Sequence, residues 1–174
     1  VGVIGKNSCI ITKDFGSWVL LGEVLTTLPL MPAAEPEPQR TPFSACGQCT
    51  RCITACPTGA IIAPGVVDAR LCISYLTIEK KGRIPARLAR IIKKTRRLFG
   101  CDICQEVCPH NISRQKTTTH HEFTAPAIAK DGLYLRCVRT IKTDSLFHRK
   151  FAGSPLKRPK RSGLARNAKI ILQT

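Results

Sequence analysis

"CGQCTRCITACP", residues 46 to 57, sets four cysteines at CxxCxxCxxxC spacing with proline directly after the last. Gaps of two residues let the thiolates of Cys46, Cys49 and Cys52 converge on one small object, while Cys56, ahead of Pro57, reaches for a second. The small or polar residues between them leave backbone amides able to point at sulfur. A further run, "FGCDICQEVCPHN" at residues 99 to 111, carries Cys101, Cys104 and Cys108, again with proline after the last.

This is the ligand pattern of bacterial ferredoxins with two 4Fe-4S clusters, in which the cysteine before proline serves the other cluster. Cys46, Cys49, Cys52 and Cys108 then complete cluster 1. Cys56, Cys101 and Cys104 belong to cluster 2 and lack a fourth partner, with Cys72, Cys9 and Cys137 as the remaining choices. Cys72 is the best placed, inside the cluster region near the start of an expected helix, whose N-terminal dipole favours a thiolate. Cys9 and Cys137 lie in apolar or basic surroundings outside it, where a buried, unligated thiol is the commoner fate. Tetrahedral zinc is the rival, but it needs only four ligands and leaves the cysteine-proline endings unexplained. Tight CxxC runs with no basic leader ahead of the apolar start argue against disulfides and for a cytoplasmic location.

At 174 residues and 43% hydrophobic, the chain has the size of one domain or two small ones. Its formal charge is +17, which two thiolate-bound clusters would offset only in part. A polyanion is the natural partner, because Lys and Arg gain free energy by displacing phosphate counterions; a merely solvated surface is the alternative. No membrane span is expected: the apolar "GSWVLLGEVLTTL" is short and carries Glu23.

Within it, "WVLLGEVLTTL" reads as a strand, with a short buried helix as rival and Trp18 in the core. "MPAAEPEPQRTPF" follows as a linker or surface loop. Two helices are expected between the cysteine groups. The first runs from Asp68 as N-cap through "ARLCISYLTIEKK" to Gly82. The second starts at Pro85, turns Leu88, Ile91, Ile92 and Leu98 to one face and stops at Gly100. Its other face carries Arg87, Arg90, Lys93, Lys94, Arg96 and Arg97, which are solvated or meet nucleic acid. Beyond Arg136 the chain turns basic. Ser154 and Pro155 should start a last helical region with Leu164, Ala168, Ile171 and Leu172 as its apolar stripe; a disordered tail is the alternative.

"GVIGKNSCIITKDFGSWVLLGEVLTTL", "CGQCTRCITACPTGAIIAPGVVDARLCISYLTIEKKG", "FGCDICQEVCPHN" and "FAGSPLKRPKRSGLARNAKIIL" together resemble the epoxyqueuosine reductases, cobalamin-dependent enzymes of tRNA queuosine synthesis. The resemblance implies an α+β fold: residues 1–40 as the end of a cobalamin-binding reductase domain, 41–115 as a two-cluster ferredoxin-like domain, and 116–174 as a basic segment leading towards helical repeats. It implies reduction of epoxyqueuosine to queuosine at the tRNA wobble position, with electrons passing from an external low-potential donor through both clusters to cobalamin. It also supports Cys72 as a ligand, through "CISYLT", and a monomer.

Cobalamin contacts carried over from the family are Gly5, Ile10, Leu21, Ser74, Asp102 and Ile103. Taken alone, Ile10 and Leu21 would be ordinary core and Asp102 an exposed turn residue. Lys81, Arg87, Lys157, Arg158, Lys160 and Arg161 are the candidates for tRNA backbone contacts. In the family, a segment ahead of "GKN" supplies an aspartate regarded as the proton donor, so no residue here is assigned that role and the chain looks truncated. His110, His120, His121 and His148 are expected to be surface groups. "AAEPEPQRTPFS" and "KKTRR" read as surface elaborations. Two alternatives remain: a stand-alone two-cluster ferredoxin, against which "GSWVLLGE" and "RSGLARNA" weigh, and a reductive dehalogenase-like cobalamin enzyme, disfavoured by the basic charge and "CISYLT".

Overall fold

The computed structural model describes residues 2–31, 42–113, 116–123 and 135–173, and its short elements form a mixed α/β fold. In chain order they are β1 (Val3–Ile4), β2 (Ile10–Ile11), α1 (Arg51–Ala55), β3 (Ile61–Ala63), β4 (Val66–Val67), α2 (Ile73–Ile78), α3 (Ala86–Thr95), α4 (Ile103–Glu106), α5 (Pro109–Ile112), α6 (Leu135–Thr140), α7 (Asp144–Lys150) and α8 (Lys160–Leu172). Two 3-10 turns, His121–Phe123 and Pro155–Lys157, precede α6 and α8 respectively. Two compact units result: Val1–Ala55 with Ile61–Val67 and Ile103–Lys116, and Cys56–Ala60 with Asp68–Asp102 and Thr117–Thr174.

The first unit is built on two antiparallel hairpins. β1 pairs β2 with Val3 opposite Ile11, and β3 pairs β4 with Ile61 opposite Val67. The β1–β2 turn closes through Gly5 N–H to the Cys9 carbonyl at 2.8 Å and Ser8 N–H to the Gly5 carbonyl at 2.9 Å. Its core is small: Val3, Ile11 and Cys108 are buried, with Ala45 and Cys46 packed against them. Polar pinning supplements it. Asn111, 1% exposed, accepts from Ser17 N–H at 2.7 Å and donates through Nδ2 to Ser17 Oγ and the Gln105 carbonyl, both at 2.8 Å. Gly16 makes that approach possible. At φ +59° it sits where a Cβ would overlap Asn111 Oδ1 and lie 2.7 Å from the His110 carbonyl.

The second unit holds most of the apolar burial. Leu88 and Ile92, one helical turn apart on α3, pack with Ile73, Leu76, Ile84 and Ile171; burying each such side chain stabilises by roughly 1.5–3 kcal/mol. A second cluster gathers Val138, Ile141, Phe147, Phe151, Leu164 and Ala168. α8 joins both clusters, with Leu164 and Ala168 in one and Ile171 in the other. Its polar residues Arg166 and Asn167 close the chain past α2. Arg166 donates to the carbonyls of Leu76 at 2.8 Å and of Lys80 and Gly82 at 2.7 Å, while Asn167 donates to those of Thr77 at 2.7 Å and Leu98 at 3.0 Å. The Leu76 and Thr77 carbonyls are among the orphan acceptors that the last turn of α2 leaves, and those of Lys80, Gly82 and Leu98 belong to the loops beyond α2 and α3.

Several expectations need correction. "WVLLGEVLTTL" is neither strand nor helix: residues 18–27 carry no regular structure, and Trp18 (38%), Leu20 (80%) and Leu25 (96%) are exposed rather than core. A strand needs a ladder partner, and no described residue supplies one. α2 begins at Ile73, not after Asp68. The Asp68 carboxylate instead accepts from its neighbour Arg70, at 3.0 Å from the backbone N–H, while Leu71 and Cys72 N–H close a turn onto the Asp68 carbonyl. Cys72 is therefore the N-cap residue of α2.

α3 starts after Pro85 as expected but stops at Thr95, because Arg96 takes the left-handed conformation at φ +54°. "KKTRR" is thus partly the last turn of a helix rather than an added loop. Gly100 makes a later turn at φ +71°, its N–H donated to Thr77 Oγ1 at 3.0 Å. Of "AAEPEPQRTPFS", residues 33–41 lie outside those described. Ser154 does cap the turn before α8, accepting from Leu156 N–H at 3.2 Å, and α8 is a packed helix, not a disordered tail.

Candidate functional site

Cys46, Cys49, Cys52 and Cys108 line one cavity in the first unit, with Lys6, Asn7, Ile11, Arg51, Pro109 and His110 as its other walls. Consecutive turns bring the first three together: Cys46 N–H bonds the Phe43 carbonyl and Cys49 N–H the Cys46 carbonyl, both at 2.9 Å, and Cys52 falls in the first turn of α1. Cys108 enters from the other side as the N-cap of α5, its position set by Pro109 at the helix start. A backbone N–H is aimed at sulfur, from Lys6 to Cys46 Sγ at 3.4 Å. The Lys6 ammonium donates to the Gly47 carbonyl at 2.6 Å and the Cys49 carbonyl at 3.1 Å, tying the ligand loop to the β1–β2 turn.

Burial, followed by the nearby Cys104 and Cys46 charges, pushes the Cys52 thiol above its ordinary range, opposed by the Ile53 backbone N–H. Such a crowd of sulfurs becomes a set of thiolates only around a cationic centre. The donor set fits a 4Fe-4S cluster. Among the described residues, no group of three or more His, Cys, Asp or Glu side chains is gathered closely enough for a single metal ion. A cubane, by contrast, takes each ligand at a separate iron.

In the second unit, Cys56 Sγ accepts from Ala60 N–H at 3.2 Å and lies 3.7 Å from Thr58 Oγ1. Cys72 caps α2, and Cys101 packs against the cluster of Ile73, Leu76 and Leu88. Cys104, on α4, belongs to the first unit, where its carbonyl accepts from Asn7 Nδ2 at 3.5 Å. Its thiol is pushed far up, first by a hydrogen bond with the Cys9 thiol, then by burial and the Cys9 charge. Cys9 is thus a half-buried neighbour of a proposed ligand, not an isolated core thiol. Cys137 is exposed, against expectation, because Val138 takes the core position on α6.

The residues carried over for cobalamin divide between the units, Gly5, Ile10, Leu21 and Ile103 in the first and Ser74 and Asp102 in the second. Gly5 is buried, and a Cβ there would meet Ile11 Cδ1 at 2.8 Å and Asn7 Oδ1 at 2.9 Å, so this glycine serves its own turn. Ile10 is half-buried in β2. Leu21, at 65% exposure, is not core. Ile103 opens α4, half-buried; in the second unit, Ser74 lies in the first turn of α2 and Asp102 is exposed. His120, His121 and His148 are exposed as expected, but His110 is half-buried, with Nε2 2.8 Å from the Ala45 carbonyl.

The tRNA candidates all lie in the second unit. Lys81, Arg158 and Lys160 line a groove of about 680 Å³ with Arg83 and Arg166. Lys157, Arg158, Lys160 and Arg161 line another of about 470 Å³. Arg158 is paired with Glu79, and Arg161 Nε donates to Asp144 Oδ1 at 2.7 Å; Arg87 is exposed on α3. Lys6, Asn111 and Arg166 were not foreseen from the sequence, although "GKN", "CPHN" and "SGLARNA" each carried the relevant residue.

Residues 45–111 match the family of 4Fe-4S double cluster binding domains. An epoxyqueuosine reductase of Gloeobacter violaceus is 42% identical over 99% of this chain and 52% of its own length, and that of Synechocystis is 39% identical over 99% and 57%. The structure of epoxyqueuosine reductase from Bacillus subtilis superposes with a TM-score of 0.80 at 35% identity, covering 98% of this chain and 43% of that one. This chain is a homologue of the epoxyqueuosine reductases. It spans about half the length of the curated epoxyqueuosine reductases that align along all of it. A crystal structure of epoxyqueuosine reductase with an epoxyqueuosine-modified tRNA-Tyr stem loop matches as well, with a TM-score of 0.79 and 34% identity over 98% of this chain and 42% of that one. Among the described residues, no helix is long and apolar enough to cross a membrane.

Proposed function

We propose that this chain is the electron-delivering portion of an epoxyqueuosine reductase, reducing epoxyqueuosine to queuosine in tRNA with cobalamin as the cofactor at the substrate. The gathering of Cys46, Cys49, Cys52 and Cys108 around one cavity is the observation that carries the reading. Those four residues would hold cluster 1. Cys56, Cys72, Cys101 and Cys104 would hold cluster 2, Cys56, Cys101 and Cys104 supported by ligand spacing and Cys72 by the resemblance of "CISYLT" and its place at the start of α2. Bound clusters supply single-electron transfer at low potential.

The chain's own residues prepare the sites for that role. Lys6 N–H and Ala60 N–H donate to ligand sulfurs, which favours the anionic form, and Val3 and Ile11 shield Cys108 from water. Leu21 and the exposed apolar residues beside it, with Gly5, Ile10, Ser74, Asp102 and Ile103, are proposed to contribute to the cobalamin surroundings; Leu21 fits an apolar rim, while Gly5 acts through the shape of its turn. The domain division at residues 40 and 115 follows the same reading, as does a monomer served by an external low-potential donor.

The tRNA anticodon region is the proposed macromolecular partner. Support comes from the grooves beside Lys81, Lys157, Arg158, Lys160 and Arg161 and from exposed Arg87, whose charges suit a phosphate backbone. To test the function, tRNA from a strain accumulating epoxyqueuosine is incubated anaerobically with cobalamin, a low-potential reductant and this chain joined to the remaining length of the Gloeobacter relative. Queuosine should be found after nucleoside digestion. Unchanged epoxyqueuosine, with both clusters loaded, would overturn the proposal.

A further inference from the structure

We infer that Lys6 sets the reduction potential of the cluster held by Cys46, Cys49, Cys52 and Cys108, an inference that rests on the two-cluster reading above. Three observations meet at this side chain. Its backbone N–H donates to Cys46 Sγ at 3.4 Å, and its ammonium is fixed by the carbonyls of Gly47 at 2.6 Å and Cys49 at 3.1 Å. The cation is thereby anchored on the ligand loop itself rather than trailing into solvent. Lys6 also lines the cavity shared by the four cysteines, and the other lining residues include Arg51 and His110 but no carboxylate.

A cluster gains one negative charge when it is reduced. A fixed cation and an N–H aimed at sulfur both stabilise the reduced state more than the oxidised one, so the potential rises with them. In the second unit, Cys56 Sγ accepts from the Ala60 N–H at 3.2 Å and lies 3.7 Å from Thr58 Oγ1. Lys6 therefore acts as a positioning residue that raises the potential of cluster 1 and so favours its reduced state.

The test is an anaerobic redox titration, followed by electron paramagnetic resonance, of the reconstituted wild type, Lys6→Met, Lys6→Gln and Lys6→Arg. In Lys6→Met, the reduced-to-oxidised ratio of one cluster at fixed poise should fall about tenfold, about 59 mV for a one-electron couple. The second cluster should not move, and Lys6→Arg should keep both ratios. Where Lys6→Met loads only half the iron, Lys6→Gln, which can still donate to one carbonyl without charge, carries the measurement. A loaded uncharged variant whose ratio changes less than twofold overturns the inference. So does a pair of uncharged variants that both fail to load while Lys6→Arg loads, since Lys6 would then be a brace for assembly. Wild type that takes up no iron counts instead against the two-cluster reading.

Discussion

Replacing Asn167 by alanine should destabilise the second unit more than any change on the exposed face of its helix. Asn167 is fully buried; its amide donates to the Thr77 carbonyl at 2.7 Å and the Leu98 carbonyl at 3.0 Å, and its Oδ1 accepts from Arg166 Nε at 3.1 Å. Alanine leaves both carbonyls without that donor. Each buried acceptor left unsatisfied costs about 1–3 kcal/mol, so the pair amounts to roughly 2–6 kcal/mol before any cavity is counted. Against a typical domain stability of about 5–15 kcal/mol, that is a large fraction. In anaerobic urea denaturation followed by far-ultraviolet circular dichroism, the midpoint should drop by at least about 0.7 M, given slopes of about 1–3 kcal/mol/M. Lys169→Ala, on the exposed side of the same helix, is the control. Asn167→Asp separates the contributions: it keeps the volume and the acceptor for Arg166 but sets a carboxylate oxygen against carbonyls. A midpoint for Asn167→Ala no lower than that of Lys169→Ala, or full rescue by Asn167→Asp, would refute the reasoning.

Cys72→Ala should lower the iron of the anaerobically reconstituted protein from about eight atoms to about four by emptying one site, while Cys137→Ala, at an exposed position, should leave it unchanged; the reverse pattern would assign the fourth ligand to Cys137. Gly16→Ala forces a side chain at φ +59° into Asn111 Oδ1 and the His110 carbonyl, next to the proposed ligand Cys108, and should cost about 1–3 kcal/mol and speed iron loss to a chelator from one cluster only. Wild-type release kinetics from both clusters would show that the Gly16–Asn111 contact does not hold the ligand segment.

Much of the candidate site was legible because cluster ligation is a local demand. Three sulfurs that must reach one cubane are confined to spacings of a few residues, and Pro109 after Cys108 sets the start of α5. α3 was legible for a similar reason, since Leu88 and Ile92 repeat at the helical period. Its end was less so: Gly100 offered the usual left-handed stop, yet Arg96 adopts that conformation first. "WVLLGEVLTTL" misled because apolar, β-branched composition reports a wish for burial, not the presence of a partner strand.

By itself the sequence determined that this chain is built to hold two iron-sulfur clusters, that basic charge dominates it, and that an amphipathic helix ends its described fold. Tertiary structure alone decided which polar groups support those features. Lys6 meets the loop at Gly47 and Cys49, Asn111 meets Ser17, and Arg166 and Asn167 meet carbonyls at and just beyond the end of α2. Periodicity and spacing encode contacts within a turn or two of the chain. A buried hydrogen bond between distant segments leaves no such repeat, because its only requirement is that one donor and one acceptor be shielded from water together.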